Sequence, residues 1–266
     1  MIPRLHLPGA ASGALIDLAE PQFHYLGRVL RLRSGASLQV FDGHGRRFAA
    51  ELAALDARRG RVRIGEPLPA LADGALRVTL VQGLSAADRM DWTIEKAVEL
   101  GVTTIVPLAC ERSQVRLDAG RAARRHEHWQ RLIVAACMQC GRDRLPGGLR
   151  GGPRAGLPAF PAPPTPPPPP ALQELPDRPD ASRLLLVAPE QVPDALPLSR
   201  WQPPAAEPAP LALTLVVGPE SGFSDQEIAL LRQRRFTPVT LGPRGLRAMP
   251  AGMAAMAALQ VKFGDF

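Results

Sequence analysis

Two segments near the C-terminus combine glycine, proline and charge in a way that suits ligand binding. Gly218-Pro219-Glu220-Ser221-Gly222 follows the apolar run Leu211–Val217, and Gly242-Pro243-Arg244-Gly245-Leu246-Arg247 follows Val239-Thr240-Leu241. Glycine lets backbone approach a ligand closely, and proline holds a loop's shape. Ser224 and Glu227 form a capping box that opens a helix directly after the first segment. Backbone N–H groups at such a helix end suit a phosphate, a carboxylate or the polar edge of a cofactor. Neither segment is a Walker A loop or a GxGxxG fingerprint.

No histidine, serine or cysteine stands in a pattern that marks a nucleophile. His126 and His128 flank Glu127, but residues two apart on a helix point to different faces, so both read as surface residues. Cys137 and Cys140 form a CxxC on one apolar helical face with Trp129, Leu132, Ile133 and Ala136. With no second Cys/His pair nearby, that pattern reads as core packing, and no metal site is expected. Chemistry without a nucleophile points to positioning and electrostatics. Group transfer from an already activated cofactor has that character.

The elements that must hold these loops alternate strand and helix from Leu76 onward. Strands are expected at Leu76–Val81, Thr104–Ala109, Ser182–Val187 and 211–217, with helices over Met90–Leu100, Ala119–Cys140, Asp225–Arg235 and 250–263. That alternation implies a mostly parallel sheet, and ligands bind such sheets where strands end. Residues 1–72 differ. Short apolar segments at Ala14–Leu18, Ser37–Phe41 and Phe48–Leu52 are separated by turns such as Asp42-Gly43, with a short helix expected at Pro21–Leu30. A small β-barrel fits them, and its cluster of Arg28, Arg31, Arg33, Arg46 and Arg47 suits RNA. A hinge at Pro67–Gly74 separates it from a second domain, 74–266. Residues 147–181, with five consecutive prolines at 166–170, read as a polyproline or irregular excursion, and 203–210 is a second proline-rich stretch.

The 266 residues carry a formal charge of +7, and all but two of the basic side chains are arginine. Codon bias in a GC-rich genome favours arginine, but it does not require an excess of base over acid. The balance suits a polyanionic partner. No apolar run approaches the roughly 20 residues that span a bilayer, and the chain opens on no signal-peptide stretch, so a cytoplasmic protein without membrane contact is expected.

Several motifs then occur in one order: Glu95-Lys96-Ala97-Val98-Glu99-Leu100-Gly101-Val102, Glu111-Arg112-Ser113, Gln139-Cys140-Gly141-Arg142, Gly218-Pro219-Glu220, Leu241-Gly242-Pro243-Arg244 and the tail Ala-Leu-Gln-Val-Lys-Phe-Gly-Asp. Together with Val29-Leu30-Arg31 and Phe41-Asp42-Gly43 they closely resemble the ribosomal RNA small subunit methyltransferase E family, over nearly the whole chain except 147–181. The resemblance implies an α/β fold: a SPOUT-type trefoil-knotted, mostly parallel sheet with helices, preceded by a small PUA-like β-barrel. It implies a homodimer, with the helix 250–263 at or near the interface. It implies S-adenosylmethionine-dependent methylation of uridine N3 in 16S rRNA of the small ribosomal subunit, at uridine 1498 of the decoding region. Carried onto this chain, the cofactor would meet Leu186, Val187, Gly218, Pro219, Glu220, Gly222, Leu241, Gly242, Arg244 and Leu246. Arg247 would stabilise the uridine anion, and Arg28, Arg31, Arg112 and Arg142 would hold RNA. The chain departs from the family at Ser221 (usually Gly), at Ala86 (usually basic) and at Ala248-Met249-Pro250, where an acid and a hydroxyl are absent. A non-catalytic relative that binds rRNA is the alternative those departures raise.

Overall fold

The computed structural model describes residues 2–56, 58–71, 74–147, 170–175, 181–204 and 210–266. Within the proline-rich segment expected at 147–181, residues 148–169 and 176–180 lie outside the described residues, as do 205–209 of the second stretch; the described part is not wholly irregular, because Leu172–Glu174 form one 3₁₀ turn. The chain forms two compact units: residues 1–73 with 134–145, and 74–133 with 146–266.

In the first unit, β1 (Arg4–His6), β2 (Leu15–Asp17), β3 (Ser37–Phe41), β4 (Arg47–Leu55) and β5 (Gly60–Leu68) form one sheet of order β1-β3-β4-β5-β2. Only β1 and β3 pair in parallel. Inward positions such as Leu38, Val40, Phe48, Leu52, Val62 and Ile64 build its core, the period-2 pattern of a half-buried sheet. The expected helix at Pro21–Leu30 is split, with α1 (Glu20–His24) running into a π-helical turn over Tyr25–Val29. The Leu32 N–H then reaches back to the Leu26 carbonyl at 2.9 Å, and Arg31 sits between them at φ 54°. Glycine usually takes that left-handed position, so an arginine there is held at a cost of about 1 kcal/mol.

The Asp42-Gly43 turn is locked by one carboxylate. Asp42 Oδ1 accepts from the N–H groups of His44 and Arg46, and Oδ2 from Arg46 Nε at 2.7 Å. Burial alone would raise the Asp42 pKa, but these bonds outweigh it and hold the carboxyl below its usual range. Residues 134–145 belong to the same unit. Asp143 receives Arg4 at 2.6 Å and Arg47 at 3.6 Å, and Met138 packs on the core. Burial pushes the Cys137 thiol up to about 12, which makes it an inert core residue.

The second unit carries β6 (Leu76–Gly83), α2 (Ala87–Glu99), β7 (Thr104–Leu108), α3 (Ala119–Cys140, whose last turns join the first unit), β8 (Ser182–Leu186), β9 (Leu196–Pro197), β10 (Leu211–Val217), α4 (Asp225–Gln233), β11 (Thr237–Thr240) and α5 (Ala248–Phe263). Its sheet order is β7-β6-β10-β8-β11-β9, and every pairing is parallel. The inner strands are continuous apolar runs because both faces are covered. Pro238 is tolerated in β11 because the two-residue β9 pairs only with Val239 and Thr240.

Register brings the strand ends level. Val217 pairs with Gln82 on one side and Leu186 on the other, and Leu186 also pairs with Val239. The C-terminal tail braces this unit. Gln260 Nε2 donates to the Leu100 carbonyl at the end of α2, and Lys262 Nζ donates to the carbonyls of Ser199 and Trp201.

Candidate functional site

The level strand ends of β8, β10 and β11 open into one cavity of about 290 Å³. Leu186 and Val187 form one wall, Val217–Phe223 a second, and Leu241, Arg244, Leu246, Ala248 and Ala251 a third. Nine of the ten residues assigned to a cofactor from sequence therefore meet around one space. Gly242 does not line it. At φ 100° it faces a neighbouring cavity of about 240 Å³, with Leu198, Leu259 and Lys262.

The second wall is built closely against the protein. A Cβ added at Gly83 would lie 2.5 Å from the Pro219 nitrogen, and one at Gly218 would lie 3.2 Å from the Phe223 ring. Gln82, 1 % exposed, donates from Nε2 to the carbonyls of Gly83 and Gly218 at 3.2 and 3.1 Å. The Gly222 N–H closes the turn onto the Pro219 carbonyl at 2.9 Å, and Gly222 has φ 68°. Ser221 is not among the residues with positive φ, so serine costs nothing there. Sequence reasoning ended the preceding strand at Val81 and so missed Gln82 and Gly83. A glycine closing an apolar run, the signal that marked Gly218, also marks Gly83.

The capping box behind this wall is formed as expected. The Glu227 N–H donates to Ser224 Oγ at 3.2 Å, and Glu227 Oε2 accepts from the Ser224 N–H at 2.9 Å. Glu227 Oε1 also accepts from the Glu111 N–H at 2.9 Å, which ties in the loop that carries Arg112. Burial, with the Glu227 charge, pushes the adjacent Cys110 thiol up to about 12.

Glu220 is anchored from outside its own loop. Its Oε1 accepts from the Ala86 N–H at 3.1 Å and from Arg89 Nη1 at 3.0 Å. Burial would raise its pKa, but the backbone and Arg89 bonds prevail and keep the carboxyl below its usual range.

The third wall is open. Arg244, Leu246 and Arg247 are exposed, Leu246 by 44 %. Arg247 does not line the cavity; it is the N-cap of α5, directly before Ala248, which does. That helix begins two residues earlier than expected, so Pro250 is its third residue rather than its first. The N–H of a third residue has no partner within the helix, so proline is accommodated.

Of the four RNA candidates, Arg28, Arg31 and Arg142 fall in the first unit and Arg112 in the second. Arg28, Arg31 and Arg112 are exposed, and Arg142 is half-buried. His126 and His128, expected as surface residues, are half-buried and bonded, His128 Nε2 lying 2.7 Å from Asp91 Oδ2 and His126 beside Gln130. Among the described residues no cluster of His, Cys, Asp and Glu is placed to hold a metal, and no helix is long and apolar enough to cross a membrane.

The chain as a whole resembles known proteins in sequence and fold. The RNA methyltransferase domain family matches residues 72–147 and 163–260, and the RNA methyltransferase PUA domain matches 18–65. A Synechocystis protein, ribosomal RNA small subunit methyltransferase E, is 31 % identical over 92 % of this chain and 72 % of its own. The Neisseria gonorrhoeae ribosomal RNA small subunit methyltransferase E, solved bound to S-adenosylmethionine, superimposes over the full length of both chains with TM-score 0.83 and 33 % identity. A Legionella pneumophila protein solved in complex with the bound cofactor SAM does so with TM-score 0.84 and 30 % identity. The N-terminal PUA domain and the parallel-sheet α/β unit that follows thus carry the features of one lineage, and the chain belongs to the RNA methyltransferases of the ribosomal RNA small subunit methyltransferase E family.

Proposed function

We propose that this chain transfers a methyl group from S-adenosylmethionine to N3 of a uridine in 16S rRNA, at the decoding-region uridine 1498, during small-subunit maturation in the cytoplasm. The observation that carries the reading is the cavity ringed by three strand-end loops, one of whose walls, 218–222, is packed so closely on the protein that Cβ atoms added at Gly83 or Gly218 would meet Pro219 or Phe223. Residues 186–187, 218–222 and 241–246 would hold the cofactor. The buried side chains of Leu186 and Val187 would exclude water on one side of the cavity, and the backbone of 218–222 would read polar edges. The cofactor supplies a methyl already activated on sulfonium, so no covalent enzyme intermediate is needed.

Uridine N3 must lose its proton to accept the methyl. Arg247, exposed at the N-terminus of α5 and without an ion-pair partner among the described residues, is the candidate that stabilises the resulting anion. Arg28, Arg31, Arg112 and Arg142 would contact RNA phosphate. The trefoil knot of the family is part of the same reading. The accommodation of Ser221 and Pro250 favours an active enzyme over a degenerate rRNA-binding relative.

A homodimer belongs to the proposal too. One face of α5 packs inward through Ala251, Met253, Ala255, Met256 and Leu259, while Ala254, Ala258 and Val261 face outward, a small-residue face that permits close helix approach.

The test is transfer of tritiated methyl from labelled cofactor to small ribosomal subunits lacking the modification, followed by nucleoside analysis. Label in 3-methyluridine is expected, and Arg247→Ala should lower the rate by about 10²–10³ with little change in subunit binding. Tight subunit binding without label, with activity restored by Met249→Glu and Pro250→Thr together, would establish the degenerate relative instead. Light scattering of the same preparation should read twice the 28.5 kDa chain mass; a monomer at micromolar concentration removes the dimer.

A further inference from the structure

Helix α2 starts poorly by its own sequence. Its N-cap is Ala86, which offers no side-chain cap, and the third helical residue, where a capping box would place Glu, is Arg89. The missing carboxylate comes from elsewhere: Glu220 Oε1 takes both the Ala86 N–H and Arg89 Nη1. The box is thus split between two loops. Its acid lies in the cavity wall and its base on the neighbouring helix. Arg89 is 47 % exposed and Glu220 22 %, so the pair stands at the rim, between the cavity and solvent.

We propose that Arg89 is a positioning residue of the cofactor site: by holding the Glu220 carboxylate outward and neutralised, it fixes the 218–222 loop in its binding shape. The inference rests on the cofactor reading above. Arg89 does not line the cavity, so it acts through Glu220. An unheld Glu220 would be free to turn into the cavity. There its charge would repel the carboxylate of the cofactor's methionine moiety, and the loop would lose the anchor it shares with α2.

The experiment is calorimetric binding of S-adenosylmethionine to the full chain and to Arg89→Ala, Arg89→Lys, Glu220→Gln and the Arg89→Ala/Glu220→Gln pair, with thermal melts of each without ligand. Wild-type binding reports on the cofactor reading itself; no heat at millimolar cofactor overturns that reading and this inference with it. Given wild-type binding, Arg89→Ala should weaken affinity about fivefold, as suits one partly exposed charge pair. Its ligand-free melting temperature should stay close to wild type. Arg89→Lys should restore most of the affinity, because the observed contact uses a single nitrogen. In the Glu220→Gln background the Arg89→Ala effect should shrink towards nothing. Equal affinity for Arg89→Ala and wild type overturns the proposal. So does a full Arg89 effect that persists in Glu220→Gln, which would mean that Arg89 touches a ligand directly.

Discussion

The two glycine- and proline-rich loops look alike in sequence and are built in opposite ways. Loop 218–222 is held on every side: Gln82 grips the Gly218 carbonyl, Gly83 leaves room for Pro219, Glu220 reaches α2, and the Ser224–Glu227 box follows. Loop 241–247 has almost nothing against it. A Cβ at Gly242 or Gly245 would meet no atom within 4 Å, and Arg244, Leu246 and Arg247 are exposed. The cavity thus has one preformed wall and one open wall. A preformed wall lowers the ordering cost of binding, while an open wall leaves side chains available to a large substrate. The same composition serves both ends because glycine permits close approach in one loop and openness in the other.

The comparison breaks most sharply at Gly83. Gly83→Ala forces a methyl against the Pro219 nitrogen and should abolish measurable cofactor binding, with a stability loss of about 1–3 kcal/mol from overpacking. Calorimetry and denaturant unfolding check both. Binding within a few-fold of wild type would show that the first loop is not held as rigidly as its contacts indicate.

A smaller effect separates the loops by pH. Glu220 anchors the first loop, whereas 241–247 contains no acid. The Glu220 pKa is depressed in the folded chain, so its contribution is fully present above the ordinary glutamate pKa and is lost as pH falls through the lowered one. Cofactor affinity should therefore hold steady from about pH 7 down to the ordinary glutamate range and fall only in more acid solution. Glu220→Gln should flatten that acid limb. An unchanged limb in Glu220→Gln would place the titrating group elsewhere.

The smallest effect is the control for the first. Gly245→Ala adds a methyl in open space at a residue without positive φ. It should change stability by no more than about 0.5 kcal/mol and leave cofactor affinity within twofold. A large loss would mean that the second loop closes on the ligand more tightly than it stands here.

What could be read from sequence followed the strength of the local signal. The run Leu211–Val217 and the helix Ala119–Cys140 stand where periodicity places them, because each is long and sharply bounded. The strand β5 escaped notice because Gly60, Gly65 and Pro67 interrupt an alternation that Val62 and Ile64 otherwise keep. The cavity was legible in its loops, which announce themselves by glycine and proline. Its support was not, because Gln82 and Arg89 act on residues more than 130 positions away. Nor does the periodicity of α3 reveal that 134–145 packs with the first unit, since one apolar face reads the same whichever core it meets. The start of α5 was misplaced because proline was taken as its first residue, a preference rather than a rule.

The Glu227 carboxylate has a consequence for how this molecule can vary. One oxygen serves the start of α4 and the other the backbone of Glu111, so two loops distant in sequence share a single acceptor group at a residue only 5 % exposed. Substitutions near Ser224 and in the loop after β7 are therefore epistatic: each is tolerated or not according to what the other leaves the carboxylate to do. A descendant of this chain must change these two loops together or leave both alone.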